Sequence, residues 1–262
     1  MSSRLSFRFA AVAAIAAAAL ASACSDSTTA PVIVPAADLS TALGELQPTS
    51  LVGINARLSA APLPVLDAPV PSSCSYDAAS RSFACPNVSV SGITVSRAFT
   101  LYDASDNPQP AFDRTTTAAV RLQTSFAGTV ATSGTTLVID QQQDVKVSGL
   151  LTGAHVLNGS SLGHVTGTTG TGLAATPIAS TIATTISSLA LPRESTGPNR
   201  FPASGTVSAL AETTVGALPK ITTNVSITFN GTSKAAVTLT VNGVTTHCTV
   251  DLSSETAALC AA

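Results

Sequence analysis

The chain has 262 residues, a formal net charge of −2, and charged side chains at only 10% of its positions. That length suffices for one β-rich domain or two small ones, and with no cluster of Lys and Arg the chain lacks the electrostatic footprint of a nucleic-acid binder. Thr and Ser fill the polar role instead, and β-branched Thr suits a pleated, half-exposed surface.

At the N-terminus Arg4 and Arg8 make a positive segment, followed by an apolar run from Ala10 to Leu20. The run is too short to cross a bilayer, whose core takes about 20 residues. Small residues then end in Leu20-Ala21-Ser22-Ala23-Cys24. This arrangement resembles the signal of a bacterial lipoprotein. That pattern usually has Leu three residues before the cysteine; Ala21 stands there, with Leu20 one place earlier. The resemblance implies that residues 1–23 are a signal peptide and that Cys24 becomes the lipidated first residue of the mature chain. Several acyl chains would then hold it on the membrane, where a single chain binds only marginally. In Gram-negative lipoproteins an Asp after the cysteine favours the inner membrane. Ser25 stands there, so the resemblance implies the outer membrane, on its periplasmic face or at the cell surface. Ordinary cleavage after Ala23, giving a secreted chain without lipid, is the alternative.

Residues 24–37, rich in Ser, Thr, Ala and Pro, read as the lipidated cysteine and a flexible tether. Asp38 to Leu46 predicts a short helix, with Asp38 as N-cap and Leu39, Leu43 and Leu46 on one face. Pro48 ends it, Thr49 to Leu58 holds a weaker turn, and prolines 62, 64, 69 and 71 make the rest of the 38–73 segment extended and irregular.

From residue 74 to 262 the pattern is antiparallel β. Val88, Val90, Ile93, Val95, Phe99 and Leu101 alternate with a phase slip at Gly92, which predicts a bulge. Val120, Leu122, Phe126 and Val130 alternate against Arg121, Gln123 and Ser125, and a Thr132-Ser133-Gly134 turn follows. Leu137–Asp140 and Val145–Leu151 read as two further strands. Ile178, Ile182 and Ile186 keep period two, with Thr and Ser between them. Asn230-Gly231 and Asn242-Gly243 separate three alternating runs, and Asn-Gly there marks hairpin turns, because both central residues take positive φ. Asn158-Gly159 reads as a third such turn. The expectation is all-β: about ten strands in a large antiparallel meander sheet or β-sandwich, after the short N-terminal helical segment.

An odd count of five cysteines in an exported chain points to one thiol outside the disulfides. With Cys24 lipidated, as the resemblance implies, four remain as two close pairs, Cys74 with Cys85 and Cys248 with Cys260. A hairpin centred on Ala79-Ser80 sets Tyr76 opposite Phe83 and Cys74 opposite Cys85, close enough for a disulfide. The run from Cys248 to Cys260 echoes that pattern.

Several motifs have a chemical reading beside a plain one. Gly159-Ser160-Ser161-Leu162-Gly163 matches G-x-S-x-G, and chain order would permit Ser161 with Glu212 and His247. A nucleophile elbow needs a helix next; His164-Val-Thr-Gly-Thr-Thr-Gly-Thr-Gly172 forms none, so a glycine-rich hairpin turn is expected. Gly167, Gly170 and Gly172 lack the Lys of a phosphate loop. His155, His164 and His247 are too few and scattered to predict zinc. Asp103, Asp106, Asn107 and Asp113 offer hard oxygens for calcium, but the spacing fits no EF-hand, and Pro108 and Pro110 favour a turn. A transmembrane β-barrel would carry aromatic girdles, whereas this chain has no Trp and only Tyr76 and Tyr102.

The sequence therefore predicts a membrane-anchored, non-enzymatic binding or structural module of the cell envelope, with no cofactor or metal. Its expected partners are the membrane, through lipid on Cys24, and an envelope protein or a hydrophobic ligand. The alternative is a carrier of lipid or another hydrophobic ligand in a curved sheet; Ile178, Ile182 and Ile186 fit equally the lining of such a cavity and an ordinary core.

Overall fold

A computed structural model describes residue 70 and residues 72–90, 92–132, 135–169, 175–191 and 201–253. Cys24, the tether, the Asp38–Leu46 segment and Cys260 lie outside these residues. The described chain forms one 13-stranded antiparallel sheet. Its strands are β1 (Ser75–Asp77), β2 (Ser82–Ala84), β3 (Val88–Val90), β4 (Ile93–Tyr102), β5 (Pro108–Gln109), β6 (Ala119–Thr132), β7 (Thr135–Ser148), β8 (Val156–Thr169), β9 (Thr176–Ala190), β10 (Ser204–Val215), β11 (Ile221–Phe229), β12 (Lys234–Val241) and β13 (Val244–Asp251). The all-β expectation and the meander hold, with more strands than about ten: β3 is separate from β4, β5 is only two residues long, and β8 and β10, where Gly, Ser, Thr and Ala replace most large apolar residues, show no run of alternating apolar side chains.

The order β1-β2-β4-β6-β7-β8-β9-β10-β11-β12-β13 is nearly the chain order. β4 carries β6 along one side, from Ile93 to Tyr102. Its other side is shared end to end by β5 at Leu101 and Tyr102, β2 at Ala98 and Phe99, and β3 from Ile93 to Val95. Short edge segments of this kind, one of them carrying Pro108, limit edge-to-edge pairing with other chains.

Antiparallel register turns the alternation of each strand into rows that run across the sheet. One apolar row passes from Phe83 through Phe99, Leu122, Val145, Gly159, Ile186, Val207, Ile227 and Val237 to Cys248. A second joins Leu101, Val120, Val147, Leu157 and Leu189. Val70, Phe112 and Leu150 pack over Phe99, Leu101 and Val120, which leaves Leu101 with 0% exposure. At the other end Leu189, Leu191, Phe229, Val237, Leu239 and Val250 form the largest buried cluster. Val147 touches both clusters, so the core is continuous across the sheet.

Three sequence expectations are corrected. The phase slip at Gly92 is a two-residue hairpin turn and not a bulge: Val90 pairs with Ile93, and Gly92 takes φ 84°. Leu137–Asp140 and Val145–Leu151 belong mostly to one strand, β7, because Gln141-Gln142-Gln143 continues in extended pairing with both neighbours. Asn158-Gly159 lies inside β8 and makes no turn. Asn158 sits instead at the bulge of β9, where its side-chain carbonyl accepts the N–H of Ser188 at 2.7 Å and Ser188 takes φ 49°. The Asn242-Gly243 turn forms as expected, with both residues at positive φ, 48° and 87°, whereas Asn230-Gly231 opens a longer connection, residues 230–233, in which Gly231 alone takes positive φ, 83°.

Candidate functional site

The face opposite the apolar rows is polar, and over β2, β4, β6, β7 and β8 it encloses an open groove of about 580 Å³. Its floor follows from register. Ala98, Gln123, Asp144 and Ser160 lie opposite one another in one row. Ser96, Ser125, Gln142 and Leu162 make the next. Gln142, Ser96, Ser125 and Ser160 make no side-chain hydrogen bond to another described residue, so their amide and hydroxyl groups remain open to an outside partner.

One carboxylate is fixed among these neutral groups. Asp144 accepts two hydrogen bonds from the Arg121 guanidinium, one from Nε at 2.7 Å and one from Nη2, and a third from Gln123 Nε2 at 3.4 Å. The fork-on-fork geometry gives orientation as well as attraction. Hydrogen bonding from Arg121 holds the Asp144 carboxyl below the usual carboxylate range, against the opposing effect of partial burial. The same bond, helped by Tyr102, raises the guanidinium pKa further. Beside this pair, Lys146 lies 4.5 Å from the centre of the Tyr102 ring and 2.5 Å from Asp106 Oδ1. Two cations and two anions meet here, and their charges cancel.

Next to the groove the polar face bears a small apolar patch. Leu162, Ala183 and Leu210 lie opposite one another in β8, β9 and β10, with Leu162 45% and Leu210 41% exposed.

On the apolar face, a column of glycines in β8 explains the G-x-S-x-G match. Gly159, Gly163 and Gly167 recur every fourth residue, opposite Ile186, Ile182 and Ile178 of β9. On the other side lie Val145, Gln141 and Leu137 of β7. A Cβ at Gly159 would come within 2.9 Å of Val145 Cα, and one at Gly167 within 2.0 Å of the Thr136 carbonyl oxygen. Glycine is therefore required at 159 and 167 by close approach of β7 and not by a turn, whereas a Cβ at Gly163 would make only ordinary contact, 3.6 Å from Gln141 Cγ; the segment is strand, which corrects the expected glycine-rich hairpin. Ile178 and Ile186 are 5% and 6% exposed, part of packed clusters, and Ile182 between them is half-buried.

The structure separates the candidates for other chemistries. Ser161 shares the apolar face with Thr184, whereas Glu212 and His247 sit on the polar face, paired respectively with Lys220 at 2.8 Å and Thr238 at 3.1 Å. β8 and β13 are also five strands apart, roughly 24 Å at the ~4.8 Å spacing of strands. His164 bonds Thr181 at 3.2 Å, and His155 lies before β8, its pKa lowered by burial. No group of three metal-ligating side chains is assembled among the described residues. In the acidic loop, Asp103 accepts the N–H groups of Ser105 and Asn107, both at 2.8 Å, and Asp113 accepts the N–H and hydroxyl of Thr115. These carboxylates stabilise turns, and hydrogen bonding lowers the pKa of both.

Cys74 and Cys85 form a disulfide, with Tyr76 opposite Phe83 and their ring centroids 5.1 Å apart, in the register expected from the sequence. Cys248 is disulfide-bonded on β13; Cys260, its expected partner, lies outside the described residues. The groove itself was not anticipated. A turn at Ser133-Gly134 already implies that Arg121 faces Lys146 and Gln123 faces Asp144, but the register had to be fixed along a 14-residue strand before that signal could be read. No protein-family model, curated protein or solved structure matches the chain.

Proposed function

We propose that this protein is an extracytoplasmic lipoprotein, anchored in a bacterial membrane by lipid on Cys24 and acting as a non-enzymatic binding or structural module of the cell envelope. The observation that carries the reading is the N-terminal sequence: Arg4 and Arg8, a short apolar run, and small residues ending at Cys24. The Cys74–Cys85 disulfide supports it, since such bonds persist in oxidising compartments. The groove supports a binding role over that of a lipid carrier, because it lies open across the sheet and would not enclose an apolar cargo. Ser25 after the cysteine favours the outer membrane.

The test is expression in a Gram-negative host fed an alkynyl palmitate analogue, with the wild-type chain and Cys24→Ser compared after fractionation. The wild-type protein is expected in the membrane fraction and labelled, and the variant soluble and unlabelled. A soluble, unlabelled wild-type protein would overturn the reading, as would a Cys24→Ser protein still embedded in the membrane.

A further inference from the structure

We infer that the groove across β2, β4, β6, β7 and β8 binds a neutral, extended saccharide chain. The inference rests on the reading of the domain as a binding module, not on its lipid anchor. Four properties of the groove select this class of ligand. The first is its stock of uncommitted neutral groups: Gln142, Ser96, Ser125 and Ser160 offer donors and acceptors at fixed spacing on a rigid sheet, which suits the paired donor and acceptor character of hydroxyls. The second is charge. Beside the groove Arg121 is already committed to Asp144 in two hydrogen bonds, and Lys146 to Asp106; Arg97, the one cation among the lining residues, alternates with Ser96 and Ala98 and so directs its side chain to the opposite face, which leaves the groove's own face without an unpaired cation for a phosphate or polyanion. Asp144, held ionised by Arg121, remains a strong acceptor for a ligand hydroxyl.

The third property is the adjoining patch of Leu162, Ala183 and Leu210. A sugar ring has hydroxyls at its edge and C–H groups on its faces, and this pairing of a polar floor with an exposed apolar step matches both. Exposed apolar side chains that lie side by side on an otherwise polar face mark an interaction surface more often than scattered ones do. The fourth is openness. The groove crosses five strands without closing over, so it accommodates a chain lying along it. A peptide adding as a strand is disfavoured, because β6, β7 and β8 each pair on both sides and have no free backbone edge.

The experiment uses the full chain carrying Cys24→Ser. It is titrated by calorimetry with cello-, xylo-, malto- and chitohexaose, and with dextran sulfate as a charged probe. At least one neutral hexasaccharide is expected to bind. Gln142→Ala and Leu162→Ser are expected to weaken that binding tenfold or more without changing the circular dichroism, and Thr240→Ala, far across the sheet, to leave it unchanged. Absence of binding by every neutral hexasaccharide at millimolar concentration would overturn the inference. So would binding that is indifferent to both groove variants, or tighter binding of dextran sulfate. Recovery of shortened hexasaccharide would uphold the site and overturn the non-enzymatic reading, so the two failures are distinguishable.

Discussion

The strands β10–β12 and the strands β6–β8 follow the same alternating design and put it to different use. In β11 and β12 most core-facing residues are closed off from solvent: Val225, Ile227, Phe229, Ala235, Val237 and Leu239, with Val207 of β10, all join one buried cluster. In β6–β8 the corresponding positions thin out. The row that holds Ala209, Val225 and Leu239 in the C-terminal half is Thr124, Gln143 and Ser161 in the other half. There the polar face also carries its paired charges, Arg121 with Asp144 and Lys146 with Asp106. A single sheet thus divides its labour: one end holds the larger core, and the other pairs a smaller core around Leu101 with polar side chains that contribute little to packing.

Substitutions should separate the two halves. Leu239→Ala removes a side chain that is 2% exposed and is expected to cost about 2–5 kcal/mol, measured by urea unfolding, with saccharide binding intact in the folded fraction. Cys74→Ser with Cys85→Ser releases a loop with a sequence separation of 11, expected to cost about 3 kcal/mol in the chain-entropy model. Part of that loss should appear as local opening of the β1–β2 edge, read as faster hydrogen exchange there than in β12. Gly167→Ala forces a Cβ against the Thr136 carbonyl oxygen and should cost about 1–3 kcal/mol, which would show that glycine at this position permits the approach of β7 to β8.

The smallest effect on stability falls in the groove. The Arg121–Asp144 pair is more than a third exposed, so solvent screening leaves Asp144→Asn costing at most about 1 kcal/mol. The sign with pH follows from the lowered carboxyl pKa. The unfolded chain holds its proton more tightly, so the contribution is present above the unfolded value near about 4 and is lost as pH falls through the lowered folded value. Wild-type stability should therefore drop more than that of Asp144→Asn in this acidic window. Equal slopes would remove Asp144 from the account, whereas a large loss for Asp144→Asn at neutral pH would erase the distinction between the halves.

Where the sequence was legible, the cause was local. Asn242-Gly243 reads as a hairpin because two consecutive residues adopt positive φ, and Cys74 faces Cys85 because a short hairpin leaves a single sensible register. Asn158-Gly159 shows the limit: the same dipeptide stands within a strand, where Asn158 clamps a bulge in β9 and Gly159 admits a neighbouring Val145. Nothing local distinguishes the two uses, since the deciding partners are more than ten residues away in the chain. The groove was hidden for the same reason. Gln123, Gln142, Asp144 and Ser160 look like ordinary polar positions until three long strands are set in register.

The claim that ties both halves to a membrane surface is most directly tested by the intact mass of the mature protein, purified in detergent from a Gram-negative host. The account predicts a chain beginning at Cys24, heavier than its polypeptide by the mass of the attached acyl chains, and lighter by four hydrogens for two disulfides. A chain of bare polypeptide mass, or one beginning at a residue other than Cys24, would contradict it.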